Sequence, residues 1–174
     1  MFSLPPVTQA LIVANCAIFF IDSLSRGSFA MAFALWPIGP QFLPWQLLTY
    51  AFLHGGLSHL AFNMFGLYMF GGDVERVWGA RRYLAFYLLT GLGAGLFDLV
   101  FNASRMVPGI GASGAVSGVM AMFVALYGLR KIRFFYWAFV YFDFFRAPAI
   151  IVLPLWIANE LYQYLFNHGS MVNY

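Results

Sequence analysis

The chain has 174 residues, of which 63% are hydrophobic and only 9% charged. Its length fits one domain, and its charge content excludes an ordinary soluble domain, in which about a quarter of residues are charged. The net charge of +3 rests on too few basic side chains to argue for a nucleic-acid partner.

A transmembrane helix needs roughly 20 mostly apolar residues. Five spans are predicted, at about 7–24, 56–72, 81–101, 113–130 and 148–166, within a single membrane domain covering 1–174. The expected class is an all-α polytopic membrane protein. Strands are not expected, because the apolar segments lack sustained alternation and a spanning sheet must close into a barrel.

The first span has no basic segment before it and no clear small-residue cleavage site after it, so it reads as an anchor and not a secretory signal. Its Cys16 is the only cysteine, which excludes an internal disulfide and any multi-cysteine metal site. Cys16 is expected to pack within the helix. Residues 25–55 form a long connection containing Trp36-Pro37, Pro40 and Pro44-Trp45, an aromatic density that suits the headgroup region. The second span carries His59 and Asn63 at i and i+4, on one helix face. The third and fourth spans carry Gly91-xxx-Gly95 and Gly114-xxx-Gly118, spacings that let helices approach closely. The fourth opens with Gly111-Ala112-Ser113-Gly114. Residues 134–145 are too short to span and too aromatic for a free loop, and an interfacial segment on the cytoplasmic side is expected there.

Basic residues set the topology. With residues at span ends taken as flanking, the connections after the second and fourth spans hold seven of the nine (Arg76, Arg81, Arg82, Arg130, Lys131, Arg133 and Arg146), which leaves Arg26 and Arg105 for the opposite side. The positive-inside rule then places the N-terminus in the cytoplasm and the C-terminus of this chain outside. With that orientation His59, Asn63 and Ser113 all fall in the outer half of the membrane.

Polar groups in lipid are costly unless they satisfy each other or face a wet cavity. A serine at a helix N-terminus has free N–H groups beside it and the positive end of a dipole, which suits a developing oxyanion. His59 and Asn63 can add donors. The chemistry is that of acyl transfer, and it still needs a base for the hydroxyl proton. Bland alternatives stand beside this reading. The Gly-Ala-Ser-Gly run also serves helix packing, Ser117 shares a face with Ser113, and His54 with His59 can bind a metal although no acidic or cysteine partner lies near in sequence. Asp98 and Glu160 are acidic residues within the third and fifth spans. Both lie toward outer ends, where snorkelling is easy, so a transporter is not favoured.

Four stretches occur together in order: Trp45-Gln-Leu-Leu-Thr-Tyr-Ala-Phe-Leu-His54, His59-Leu-Ala-Phe-Asn63-Met, Phe70-Gly-Gly-Asp-Val-Glu75-Arg76-Val-Trp-Gly79, and Gly109-Ile-Gly-Ala-Ser113-Gly-Ala-Val-Ser-Gly118. In combination the chain resembles the rhomboid family of intramembrane serine proteases. The resemblance implies a rhomboid-like helical bundle with Ser113 as nucleophile. It assigns the oxyanion hole to His59, Asn63 and the Ser113 N–H, and lateral substrate access to the fifth span. It implies transmembrane substrates within the lipid bilayer, and neither metal nor organic cofactor. Rhomboids usually have at least six spans, with the base a histidine on the sixth in an Ala-His-x-x-Gly context. Here five spans are present, and the late histidine, His168, stands in Asn-His-Gly-Ser. The expectation is that the chain alone is inactive for want of the base, which a separate C-terminal segment would supply. The alternative is an inactive relative that binds transmembrane partners. Gln46 stands where many relatives carry arginine.

Overall fold

A computed structural model describes residues 3–101, 107–138, 141–151 and 153–158, with the backbone alone described over 132–138, 141–142 and 144–145. Helix α1 runs Pro6–Leu24, and Pro6 at its first position pre-sets the helical φ. The long connection holds two short helices, α2 (Ser28–Phe33) and α3 (Gln46–Thr49), and a 3₁₀ turn over Tyr50–Phe52. Helix α4 (Leu57–Gly66) passes through a π turn at Leu67–Gly71 into α5 (Gly72–Trp78). Helix α6 is Ala80–Phe101 and α7 is Ser113–Tyr127.

Described helices overlap the first four predicted spans. The helical run at the second span continues to Trp78. Its polar last turn is held by an Arg76–Asp73 ion pair of 2.7 Å, and Arg76 also donates to the Ser3 carbonyl. Of the fifth span, a 3₁₀ turn at Ala149–Ile151 and a helical segment at 153–158 are described. Glu160 and His168 lie outside the described residues.

The expectation about strands needs a correction. Strands β1 (Lys131–Ala138) and β2 (Tyr141–Pro148) pair antiparallel, from Lys131↔Pro148 to Ala138↔Tyr141. This ribbon covers the segment expected to be interfacial. Aromatic residues favour extended chain, and pairing the two arms satisfies backbone groups that an isolated aromatic loop would leave open.

Pro6–Leu24 and Ala80–Phe101 are long and apolar enough to cross a membrane. They are not core helices of a soluble protein, because Val13, Phe20, Leu89, Phe97 and Val100 are each more than half exposed. An apolar exterior of this kind belongs against lipid. Inside, helices α6 and α7 meet through small residues, as the spacing predicts. A Cβ on Gly118 would lie 2.6 Å from Thr90 Cγ2, one on Gly114 would run into Ala94 Cβ, and Gly91 faces Ala115. Cys16 packs against the main core cluster, as expected.

One polar contact ties the bundle together. The buried Glu75 carboxylate accepts from the Val7 and Thr8 backbone N–H groups at 3.0 and 2.7 Å, and from the Thr8 hydroxyl at 2.8 Å. These are first-turn donors of α1 that no residue of α1 itself can satisfy. A carboxylate there also faces the positive end of the helix dipole.

Candidate active site

Ser113 is the first residue of α7. The preceding N-cap residue is Ala112, so no side chain caps the turn. The approach to Ser113 is pinned from two directions by the long connection. Leu35 and Gly109 exchange both backbone hydrogen bonds at 2.9 Å, and Gly111 N–H donates to the Tyr50 carbonyl at 3.0 Å. Tyr50 is itself anchored, its hydroxyl donating to the Gly91 carbonyl of α6 at 2.7 Å.

Gly111 has φ 129°, a region that residues with a side chain rarely adopt. Space imposes the same choice. A Cβ on Gly111 would lie 2.8 Å from His59 Cε1, 2.9 Å from His59 Nε2 and 4.0 Å from the Ser113 nitrogen. The imidazole of α4 thus packs on the turn that delivers Ser113, and two segments more than fifty residues apart in sequence meet at one point. Asn63, one turn along α4, is fully buried and donates from Nδ2 to the His59 carbonyl at 3.0 Å. A primary amide has two N–H donors, so a second is left for another acceptor.

His54 precedes α4 and packs edge-on against His59, with ring centroids 5.0 Å apart. Burial, then the neighbouring His59, lower its pKa to about 3, so it is neutral at physiological pH. Gln46 is buried and clasps the long connection. It accepts from Trp36 and Leu43 N–H and donates to the Gln41 and Ala32 carbonyls. Ser117 accepts from Trp156 Nε1 at 3.0 Å, a structural contact between α7 and the fifth-span segment.

Sequence reasoning missed a cavity. A space of about 170 Å³ opens beside Ser113, lined among others by Tyr50, Asp98, Ile110, Gly111 and Gly114. Asp98 reaches the approach loop, since a Cβ on Gly109 would lie 3.1 Å from its Oδ2. An acidic residue within an apolar span was the available signal.

Apolar, lipid-facing helices around a buried polar cluster define the class, a polytopic membrane protein. The Rhomboid domain family model matches residues 41–173, and the chain belongs to the rhomboid family. It is 42% identical over 84 residues to rhomboid protease GluP of Bacillus subtilis, a stretch covering 47% of this chain and 16% of that protein. It is 28% identical over 130 residues to rhomboid protease GlpG of Klebsiella pneumoniae, covering 74% and 45%. RHOMBOID-like protein 12, mitochondrial, of Arabidopsis thaliana is 28% identical over 175 residues, covering 88% and 49%. The chain spans less than half the length of each of these relatives. It is a multi-pass integral membrane protein from a family of intramembrane serine proteases.

Proposed function

We propose that this protein is an intramembrane serine endopeptidase that cuts transmembrane segments near the outer membrane face, with Ser113 as nucleophile. The observation that carries this reading is the packing of the His59 ring against Gly111, two residues before Ser113. Ser113 Oγ attacks the scissile carbonyl carbon and forms an acyl-enzyme, with release of the amine. The developing oxyanion takes hydrogen bonds from the Ser113 N–H, His59 and Asn63. Water then hydrolyses the acyl-enzyme. A peptide bond inside a helix is hydrogen-bonded and sterically shielded, so substrates are segments that unwind near the outer face. The hydroxyl proton needs an acceptor. With His59 and Asn63 occupied as oxyanion donors, the reading assigns that base to a group outside the described residues. The basic-residue count supports a cytoplasmic N-terminus.

The test measures cleavage of a single-span substrate in liposomes. It uses the 174-residue chain, the same chain fused to a helix bearing Ala-His-x-x-Gly, and the fusion with Ser113→Ala. A positioned base contributes ~10²–10⁴-fold, so the fusion is expected to exceed the short chain by that order and Ser113→Ala to abolish cleavage. Cleavage that survives Ser113→Ala removes the assignment. Substrate capture without cleavage by all three supports the binding-protein alternative.

A further inference from the structure

We infer that the β1–β2 ribbon is a binding site for anionic phospholipid headgroups, with Lys131, Arg133 and Arg146 as the cations that hold the phosphate. The inference stands apart from the protease reading and concerns the bilayer around the chain.

Strand register gathers the cations. Arg133 stands directly opposite Arg146, and Lys131 lies two positions before Arg133 in β1. A strand alternates faces with a period of two, so all three positions belong to one face of the ribbon. That face is open at its root. Lys131 and Arg146 are exposed, as is Arg130 just before the strand, while Ala147 of the other face is buried. Asp143, the one acidic residue of the two strands, stands opposite Tyr136 and belongs to the other face. Like charges directly opposite each other destabilise a sheet. An anion shared by the pair removes that penalty, and a guanidinium fork matches phosphate in geometry as well as charge.

Placement decides which anion. The Ala149 N–H donates to the Arg130 carbonyl at 3.1 Å and the Ile150 N–H to the Gly128 carbonyl at 3.0 Å, so the pairing continues into the root of the ribbon. The root joins the end of α7 to the start of the fifth-span segment, at the end of a predicted span. Tyr127, the last residue of α7, is within electrostatic reach of Asp73, Arg76 and Arg130, which places the root at the same end of the bundle as the polar close of α5. By the basic-residue count this end faces the cytoplasm, the side on which the membrane carries its anionic lipid. Beyond the cations the same face holds Phe135 and Trp137 of β1, and Phe142 and Phe144 of β2. Aromatic rings settle at headgroup level. A ribbon lying along the membrane surface serves both sets of residues, with rings in the interface and cations at the phosphates. A soluble acidic partner would meet the cations and leave the rings without an apolar phase.

The experiment titrates the 174-residue chain in dodecyl maltoside micelles with phosphatidylglycerol or with phosphatidylcholine of the same acyl chains, and counts bound lipid by native mass spectrometry. The ratio of the two affinities within one preparation cancels differences in folded fraction. One cation at a membrane surface contributes about fivefold in affinity, so wild type is expected to favour phosphatidylglycerol by roughly tenfold or more. Arg133→Gln and Arg146→Gln should each lower that preference by about fivefold. Arg146→Lys, which keeps the charge, should retain most of it. Arg82→Gln removes a charge from the same side of the membrane but outside the ribbon, and should leave the preference unchanged. A wild-type ratio near one overturns the inference whatever the variants do. An equal fall in Arg82→Gln and Arg146→Gln also overturns it, because the attraction would then belong to the whole cationic side and not to the ribbon.

Discussion

The indole of Trp156 stacks on the ring of Phe62, with centroids 4.4 Å apart and 16° between the planes. Its Nε1 donates to Ser117 at 3.0 Å, so one side chain joins the fifth-span segment to α4 and α7 at once. A Cβ on Gly66 would lie 3.1 Å from the same indole. Trp156→Phe should keep the stack and lose the donor, at a cost of about 1 kcal/mol. Trp156→Ala should cost about 3 kcal/mol or more, read as a fall in unfolding temperature in detergent. If substrates pass beside the fifth span, Trp156→Ala should also raise the cleavage rate. A fall in both stability and rate would place the stack in the catalytic framework instead.

Glu75 carries a second prediction. Glu75→Ala strips acceptors from Val7, Thr8 and the Thr8 hydroxyl, and should destabilise by about 2–4 kcal/mol. Glu75→Gln keeps one oxygen but loses the charge facing the α1 dipole, and should cost about 1 kcal/mol. Equal stability of Glu75→Ala and wild type in a denaturant titration would show that α1 does not depend on this carboxylate.

Gly111→Ala tests the site with one added methyl group. That group meets the His59 ring at under 3 Å on a backbone of positive φ. The turn must shift, and on the proposed reading the oxyanion donors shift with it. Loss of one donor of this kind typically costs ~10²–10³ in kcat, whereas the strain costs about 1–3 kcal/mol of stability. A drop of that order in kcat with only a modest fall in unfolding temperature is the expected pair of results. Unchanged kcat would separate Gly111 from the chemistry.

His54 makes stability depend on pH. Its pKa is lowered from 6.5 to about 3, so the unfolded chain binds its proton across that interval while the folded chain does not. Stability from this residue is complete above about pH 6.5 and declines as pH falls toward 3, by at most about 1.4 kcal/mol per pH unit. His54→Gln should flatten the fall in unfolding temperature between pH 7 and 5. An identical pH profile in the variant would show that another group sets it.

Topology can be tested directly. With Cys16 replaced by Ala, Ser170→Cys should react with a membrane-impermeant thiol reagent in intact cells. Labelling only after lysis would reverse the orientation inferred from the basic residues, and would place His59, Asn63 and Ser113 in the inner half of the membrane.

Much of the fold was legible because hydrophobicity is local and adds along the chain. Any window of about 20 apolar residues declares a span without knowledge of its neighbours. The glycines at 91, 114 and 118 declared close helix packing in the same way, since a missing side chain has the same consequence wherever the partner helix stands. Ser113, His59 and Asn63 could be grouped from sequence because the basic residues assigned each to one membrane half.

The contacts between distant segments were not legible. Glu75 meets Thr8 across 67 residues, and Tyr50 reaches Gly91 across 41. Nothing in a local pattern tells a polar group in lipid which partner it will take. The aromatic run at 134–145 lacked the alternation of a half-buried strand, and its ribbon depends on backbone pairing between two arms. By itself the sequence determined that the chain crosses a membrane and carries a serine at a helix start, because hydropathy and residue chemistry belong to each segment alone. Tertiary structure alone decided that the His59 ring closes on the Gly111 turn and that Asp98 shares a cavity with Ser113. Those relationships exist only once packed helices bring remote residues within van der Waals reach.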